Sequence, residues 1–251
     1  MSILESLEIW RSKSIKSIAI LIDPDKFQDS SSLKRIVDQC NLCRVDFFFI
    51  GGSLLVAGSL SETIGYIKNL TDTPIVLFPG SNLHIDMKAD AILFLSLISG
   101  RNPDLLIGQH VSAAPILRKS ELEILSTGYI LVGNDANTTV AHISQTTPIP
   151  REKSEIAICT AMAGEMIGMK LIYLDAGSGA REEVPADMIG KVSKSIGVPL
   201  IVGGGINEIN KISTAFDSGA DAIVLGTAIE KDLDFIVQAA QIRDKWNTIH
   251  S

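Results

Sequence analysis

Aromatic side chains are scarce in this 251-residue chain, at 5% of the sequence. Set against abundant Ile, Leu, Val and Ala in a 46% hydrophobic fraction, that scarcity suits buried parallel strands better than an aromatic-rich sandwich. Positive charge is also short. With 22 Lys and Arg against 29 Asp and Glu, the net charge of -7 provides no basic footprint for a nucleic-acid backbone. A small anion held by backbone amides and a metal is not excluded. Three cysteines, Cys40, Cys43 and Cys159, make no disulfide framework. Cys40 and Cys43 fall in the apolar-periodic run Leu33 to Val45 with no strand ahead of them, and read as buried free thiols, a redox pair being the alternative. No segment reaches the ~20 apolar residues of a membrane span. The start, MSILESLEIW, has two glutamates and no basic leader, so a cytoplasmic protein is expected.

Glycine, by contrast, is placed where strands end. Leu171 to Ala180, LIYLDAGSGA, reads as a short strand that ends in an acid and opens into a glycine-serine-glycine loop. Strand alternation sends Tyr173 and Asp175 to one face, so a hydroxyl and a carboxylate arrive together at the strand's end. Gly177 and Gly179 allow the backbone to aim N–H groups at a ligand, and Ser178 adds a hydroxyl. This is chemistry for an anion, most simply a phosphate. A lone GSG would be a flexible turn, but two further glycine sites follow.

In chain order, Met1 to Ser12 fits a short amphipathic helix and Ser17 to Asp23 a strand that delivers a carboxylate before Pro24. Leu33 to Arg44 is a helix, Asp46 to Ile50 a strand running into Gly51-Gly52-Ser53, Ser61 to Leu70 a helix and Pro74 to Phe78 a strand. Only Ser81 to Ala89 then separates it from the strand Asp90 to Leu97, too little for a crossover helix. Pro103 to Lys119 supplies a helix and Gly128 to Val132 the fifth strand. Asn134 to Pro150 is polar and threonine-rich, a long loop and candidate lid. A helix from Arg151 to Gly168 leads to the LIYLD strand, and a helix from about Pro185 to Ser195 to the strand Pro199 to Val202, which meets Gly203-Gly204-Gly205. A helix from about Asn207 to Ser218, the strand Ala222 to Leu225, Gly226-Thr227 and a helix from about Leu233 to Trp246 complete the chain. Eight strands alternating with helices describe an α/β fold, a single (β/α)8 barrel domain over residues 1–251 with one helix replaced by a loop or extended segment. A doubly wound sheet would want one glycine fingerprint near its first strand.

Each polar landmark follows a strand's carboxyl end, the face where such barrels place their sites. Gly203-Gly204-Gly205 and Gly226-Thr227 stand after strands seven and eight, where these barrels hold phosphate, and the GSG loop adjoins them. Asp23 and Ser53, from neighbouring strands one and two, could bring oxygen ligands to a metal; a turn acid is the alternative for Asp23. His84, His110, His142 and His250 have no mutual metal spacing and are expected at the surface or behind the site. Lys170 precedes strand six, the wrong end for a Schiff-base aldolase.

With Asp23-Pro24-Asp25-Lys26, Gly51-Gly52-Ser53, Tyr173-Leu174-Asp175-Ala176-Gly177-Ser178-Gly179, Val202-Gly203-Gly204-Gly205 and Gly226-Thr227 in this order, the chain resembles geranylgeranylglyceryl phosphate synthases over nearly its whole length. The resemblance implies a TIM barrel lacking its third helix. It implies a reaction joining a polyprenyl diphosphate, geranylgeranyl by name, to the C3 hydroxyl of sn-glycerol 1-phosphate with Mg²⁺, and a homo-oligomer whose lipid product calls for peripheral membrane contact on release. Residue by residue, it implies Asp23 and Ser53 for Mg²⁺, and Tyr173 to Gly179, Gly203, Gly204, Gly226 and Thr227 for glycerol phosphate. Asp175 would be the base, standing where the family commonly has Glu. A sugar-phosphate isomerase or lyase, or a barrel that binds a phosphometabolite without turnover, is the alternative. An apolar groove would separate them, and Ala91 to Ile98 with the third strand is the place to seek it.

Overall fold

In a computed structural model, which describes residues 1–27, 29–56, 58–133 and 138–250, eight parallel strands close in sequence order, β1 pairing with β8. The strands are β1 (Ser17–Ile22), β2 (Phe47–Gly52), β3 (Ile75–Pro79), β4 (Ala91–Leu97), β5 (Glu123–Leu131), β6 (Leu171–Asp175), β7 (Leu200–Gly203) and β8 (Ala222–Leu225). Their apolar residues divide by parity. Ala19, Phe49, Val76, Leu93, Tyr173 and Val224 fill the barrel, while Ile20, Phe48, Leu77, Ile92, Leu174 and Ile223 face the helices.

The helices are α1 (Ile3–Ser12), α2 (Ser30–Leu42), α3 (Leu60–Lys68), α4 (Gln109–Leu117), α5 (Thr139–Ser144), α6 (Ser154–Met166), α7 (Ala186–Ser195), α8 (Ile209–Asp217), α9 (Thr227–Lys231) and α10 (Asp234–Ile249). No described helix is long and apolar enough to cross a membrane. α1 plugs the barrel's lower mouth with Ile3, Leu7 and Trp10, the last against Phe47. Its first amides donate to the Glu123 carboxylate at 2.7 and 2.8 Å, and β5 begins at Glu123, not at the expected Gly128, because its ladder with β4 starts at Ala91 opposite Glu123. Arg11 with Asp221 and Arg243 with Asp46 tie the same end together, far from the glycine loops.

Between β3 and β4 the chain makes turns and no helix, as its length required. Only Val76 with Ala91 and Leu77 with Ile92 register that pair of strands, against seven residue pairs between β4 and β5. Two expectations need correction. The helix foreseen over Pro103 to Lys119 begins as a π-helical turn, Asp104–Gly108, where the Asn102 side chain accepts from the Asp104 amide at 3.0 Å. The loop foreseen over Asn134 to Pro150 contains α5, capped by the Thr138 hydroxyl, and Val132 bridges Ile149; residues 134–137 lie outside the described residues. Cys40 is buried and free, and burial pushes its thiol up, the setting of an inert core residue.

Candidate active site

Parity carries Asp175 inward behind Tyr173 at the top of β6. Its carboxylate is buried and both oxygens are engaged: the Tyr129 hydroxyl donates to one, and the Gly177 amide to the other at 2.8 Å. Burial pushes the Asp175 carboxyl up, and these two bonds pull it back part of the way. Burial, then the charge of Asp175, pushes the Tyr129 and Tyr173 hydroxyls well above their ordinary range, so both stay protonated. Sequence reasoning missed Tyr129. Its strand pairs with β6, and Tyr129 sits opposite Tyr173, but only the sheet order brings them together.

The β6 and β7 loops converge closely. A Cβ on Gly203 would lie 2.3 Å from the Tyr173 hydroxyl, and one on Gly204, at φ +78°, would lie 2.6 Å from both an Asp175 oxygen and the Gly177 amide. No larger residue fits either place. The Ala176 amide is used by the Gly203 carbonyl at 3.0 Å, whereas those of Ser178, Gly179 and Gly204 meet no protein acceptor among the described residues. Ser178 and Gly179 are exposed, and Gly226 and Thr227 begin the next loop, on the strand that pairs with β7. Leu174 differs from its neighbours, since its side chain turns outward into the helix layer. It reaches the site through its backbone alone.

On the opposite rim, Asp23 stands at the top of β1, half-buried, and burial pushes its carboxyl up. Its Oδ1 accepts from the Asp25 amide at 3.1 Å. A Cβ on Gly52 would lie 3.5 Å from Oδ2, so the glycine before Ser53 leaves the space beside the carboxylate open. Asp25 reaches across to the β2 loop, where its carboxylate accepts from Val56 at 2.7 Å and Gly58 at 2.5 Å, and so ties the Ser53 loop to the Asp23 turn. One carboxylate and one hydroxyl fit Mg²⁺, which keeps waters and takes substrate phosphate oxygens, better than a metal needing an all-protein cage. No cluster of three or more His, Cys, Asp or Glu suited to a metal occurs among the described residues.

Between these rims an apolar groove runs outward where a third crossover helix would stand. Ser53 and Phe78 lie at its inner part, Ile85, Ile92, Ala113 and Leu117 along its walls. Phe78 stacks on Tyr173 at 5.6 Å and meets Tyr129 at 6.2 Å, so an aromatic cluster separates the groove from Asp175. His110, expected at the surface or behind the site, is buried in the groove wall with Nε2 3.2 Å from the Ser96 hydroxyl. Phe94 packs on its ring edge-on, and burial pushes its pKa down. The other histidines stay in loops or helix ends, with His84 accepting from the Gly80 amide at 3.2 Å.

The PcrB family model matches residues 9–242. The geranylgeranylglyceryl phosphate synthase of Chitinophaga pinensis is 50% identical over 230 residues, covering 92% of this chain and 91% of that protein. That of Spirosoma linguale is 52% identical over 235 residues, covering 92% and 93%. The crystal structure of (S)-3-O-geranylgeranylglyceryl phosphate synthase from Thermoplasma acidophilum in complex with substrate sn-glycerol-1-phosphate superposes with a TM-score of 0.90 at 31% identity, covering 99% of each chain.

Proposed function

From the premise that this chain belongs to the PcrB family, we propose that it joins a polyprenyl diphosphate to the C3 hydroxyl of sn-glycerol 1-phosphate and releases diphosphate. It is a prenyltransferase, and geranylgeranyl is the chain that its relatives' names give. The observation that carries this reading is the double membership of Tyr129: it lines the apolar groove and its hydroxyl bonds Asp175. A lipid tail and a carboxylate base therefore meet at one residue. A sugar-phosphate isomerase or lyase, or a barrel that only binds a phosphometabolite, has no use for such a groove.

In the proposed reaction, the amides of Ser178, Gly179 and Gly204, with Thr227, hold the phosphate of glycerol phosphate, and Tyr173 to Gly179, Gly203 and Gly226 shape its pocket. Each Asp175 oxygen keeps a lone pair beyond its protein bond, and the raised pKa makes the carboxylate a stronger base. Asp175 takes the C3 hydroxyl proton as the C3 oxygen bonds to the allylic carbon. The carbon–oxygen bond to diphosphate breaks, and its electron pair leaves with the diphosphate. The rings of Phe78, Tyr129 and Tyr173 offer their faces to the positive charge that gathers on the allylic carbon. Asp23 and Ser53 would hold Mg²⁺, which when bound neutralises charge on the departing diphosphate. Apolar walls keep water from the carbon.

Labelled polyprenyl diphosphates of several lengths, incubated with sn-glycerol 1-phosphate and Mg²⁺, test the reading. An ether-linked, solvent-extractable product is expected. No product at any chain length would sink it.

A further inference from the structure

Three polar residues in the turn after β1 diverge. Asp23 faces the site, Asp25 ties down the β2 loop, and Lys26 reaches across the rim to Glu230 of α9, Nζ to Oε1 at 2.8 Å. The Lys26 amide closes the turn on the Asp23 carbonyl at 3.0 Å, so the backbone of the lysine is fixed while its side chain extends on an exposed four-carbon stem. Lys26 sits three residues after Asp23 in the same turn, and Glu230 is its ion-pair partner at the rim. A prenyl diphosphate brings more negative charge than a single divalent cation beside one carboxylate can neutralise. Lys26, in the same turn as that carboxylate, brings a further positive charge, and Glu230 holds it.

We propose that Lys26 is a diphosphate-binding residue that exchanges Glu230 for the diphosphate, and that Glu230 is its built-in competitor. This rests on the prenyltransferase reading. The exchange is easy because the Lys26–Glu230 pair is exposed and held in a single contact, the kind of ion pair that contributes little to stability. A diphosphate offers several charged oxygens in place of one carboxylate. After transfer, Glu230 recovers the lysine and helps diphosphate to leave, so the pair sets product release as well as binding.

Calorimetric titration of the full chain with inorganic pyrophosphate and Mg²⁺, using wild type, Lys26→Met, Glu230→Gln and the double variant, tests this. Lys26→Met is expected to weaken pyrophosphate about tenfold, and Glu230→Gln to tighten it by roughly half that factor. Titration with sn-glycerol 1-phosphate serves as the folding control and should be unchanged in Lys26→Met. The double variant should match Lys26→Met, because Glu230 acts through the lysine. Unchanged pyrophosphate affinity in Lys26→Met overturns the proposal. So does a double variant that binds more tightly than Lys26→Met by the full Glu230→Gln factor, since Glu230 would then act by its field alone. Wild type that binds glycerol phosphate but no pyrophosphate would defeat the prenyltransferase reading itself.

Discussion

The two arcs of the barrel's upper rim are built on opposite plans. From β6 to β8 the loops close tightly around glycines, and Gly203, Gly204 and Gly205 each stand where a Cβ would come within 2.6 Å of the Tyr173 hydroxyl, an Asp175 oxygen or the neighbouring backbone. From β1 to β4 the work falls to side chains around an open groove, and exposed Leu54, Val56, Leu83 and Met87 stand on its loops. A small head group of fixed shape suits the first plan, because backbone donors held without slack lose nothing to reorganisation. A tail of repeating units suits the second, where one side chain can be traded for another without disturbing the strands beneath.

Asp175 lies where the arcs meet, and its loss should stop the reaction between the two substrates without unseating glycerol phosphate. Asp175→Asn is expected to slow transfer ~10²–10⁴-fold, the range for a missing general base, with sn-glycerol 1-phosphate affinity retained by calorimetry. Asp23→Asn touches one arc only. A fall of ~10²–10³ in kcat is expected from the lost help to the leaving group, with glycerol phosphate affinity again intact. Weakened glycerol phosphate binding in that variant would mean that the arcs are not separate. Gly204→Ala is the converse: the added methyl displaces the β6 loop, and KM for glycerol phosphate should rise by roughly ten- to a hundredfold while Mg²⁺–pyrophosphate binding holds. Ala113→Phe should cut kcat/KM about tenfold for the longest diphosphates and leave geranyl diphosphate unaffected, as expected for a groove partly filled from its wall.

The smallest effect concerns stability. The folded pKa of Asp175 is raised above its ordinary 3.8, so the stability that its protonated form contributes is full below that value and is lost as pH rises through the folded pKa. Asn has no such loss. The melting temperature of Asp175→Asn relative to wild type should therefore climb over that interval, by roughly 2–4 °C per kcal/mol for a domain of this size. A constant difference across the pH series would show that the buried carboxyl does not titrate there.

The convergence of the β6 to β8 loops was legible in the sequence because its signal is local: an apolar run, then an acid or glycine, at Asp175, Gly203 and Gly226 alike. The missing helix was legible from the shortness of residues 81–89. The groove was not, since Ile92 and Phe94 look like any strand residues until the fold sets them beside α4 with no crossover helix between β3 and β4. Tyr129 was hidden for a different reason. GYILV reads as a plain strand, and the partner of its hydroxyl lies 46 residues away. The π-helical start of the α4 region and the short α5 were obscured because the Asn102 and Thr138 side chains act through hydrogen bonds that residue type alone does not reveal.

Two register pairs between β3 and β4 make that seam the clasp of the ring. Opening the barrel there breaks fewer ladder hydrogen bonds than at the β4–β5 seam, so amides along Ile75–Pro79 and the start of β4 should exchange with solvent sooner than those of β5. The lipid tail proposed for the groove would lie over this clasp, in the position a crossover helix occupies elsewhere in the barrel. The fold would then be finished by its own substrate: a tail that binds the closed ring and not the open one fastens it, and a longer tail would slow exchange at the seam more than a shorter one.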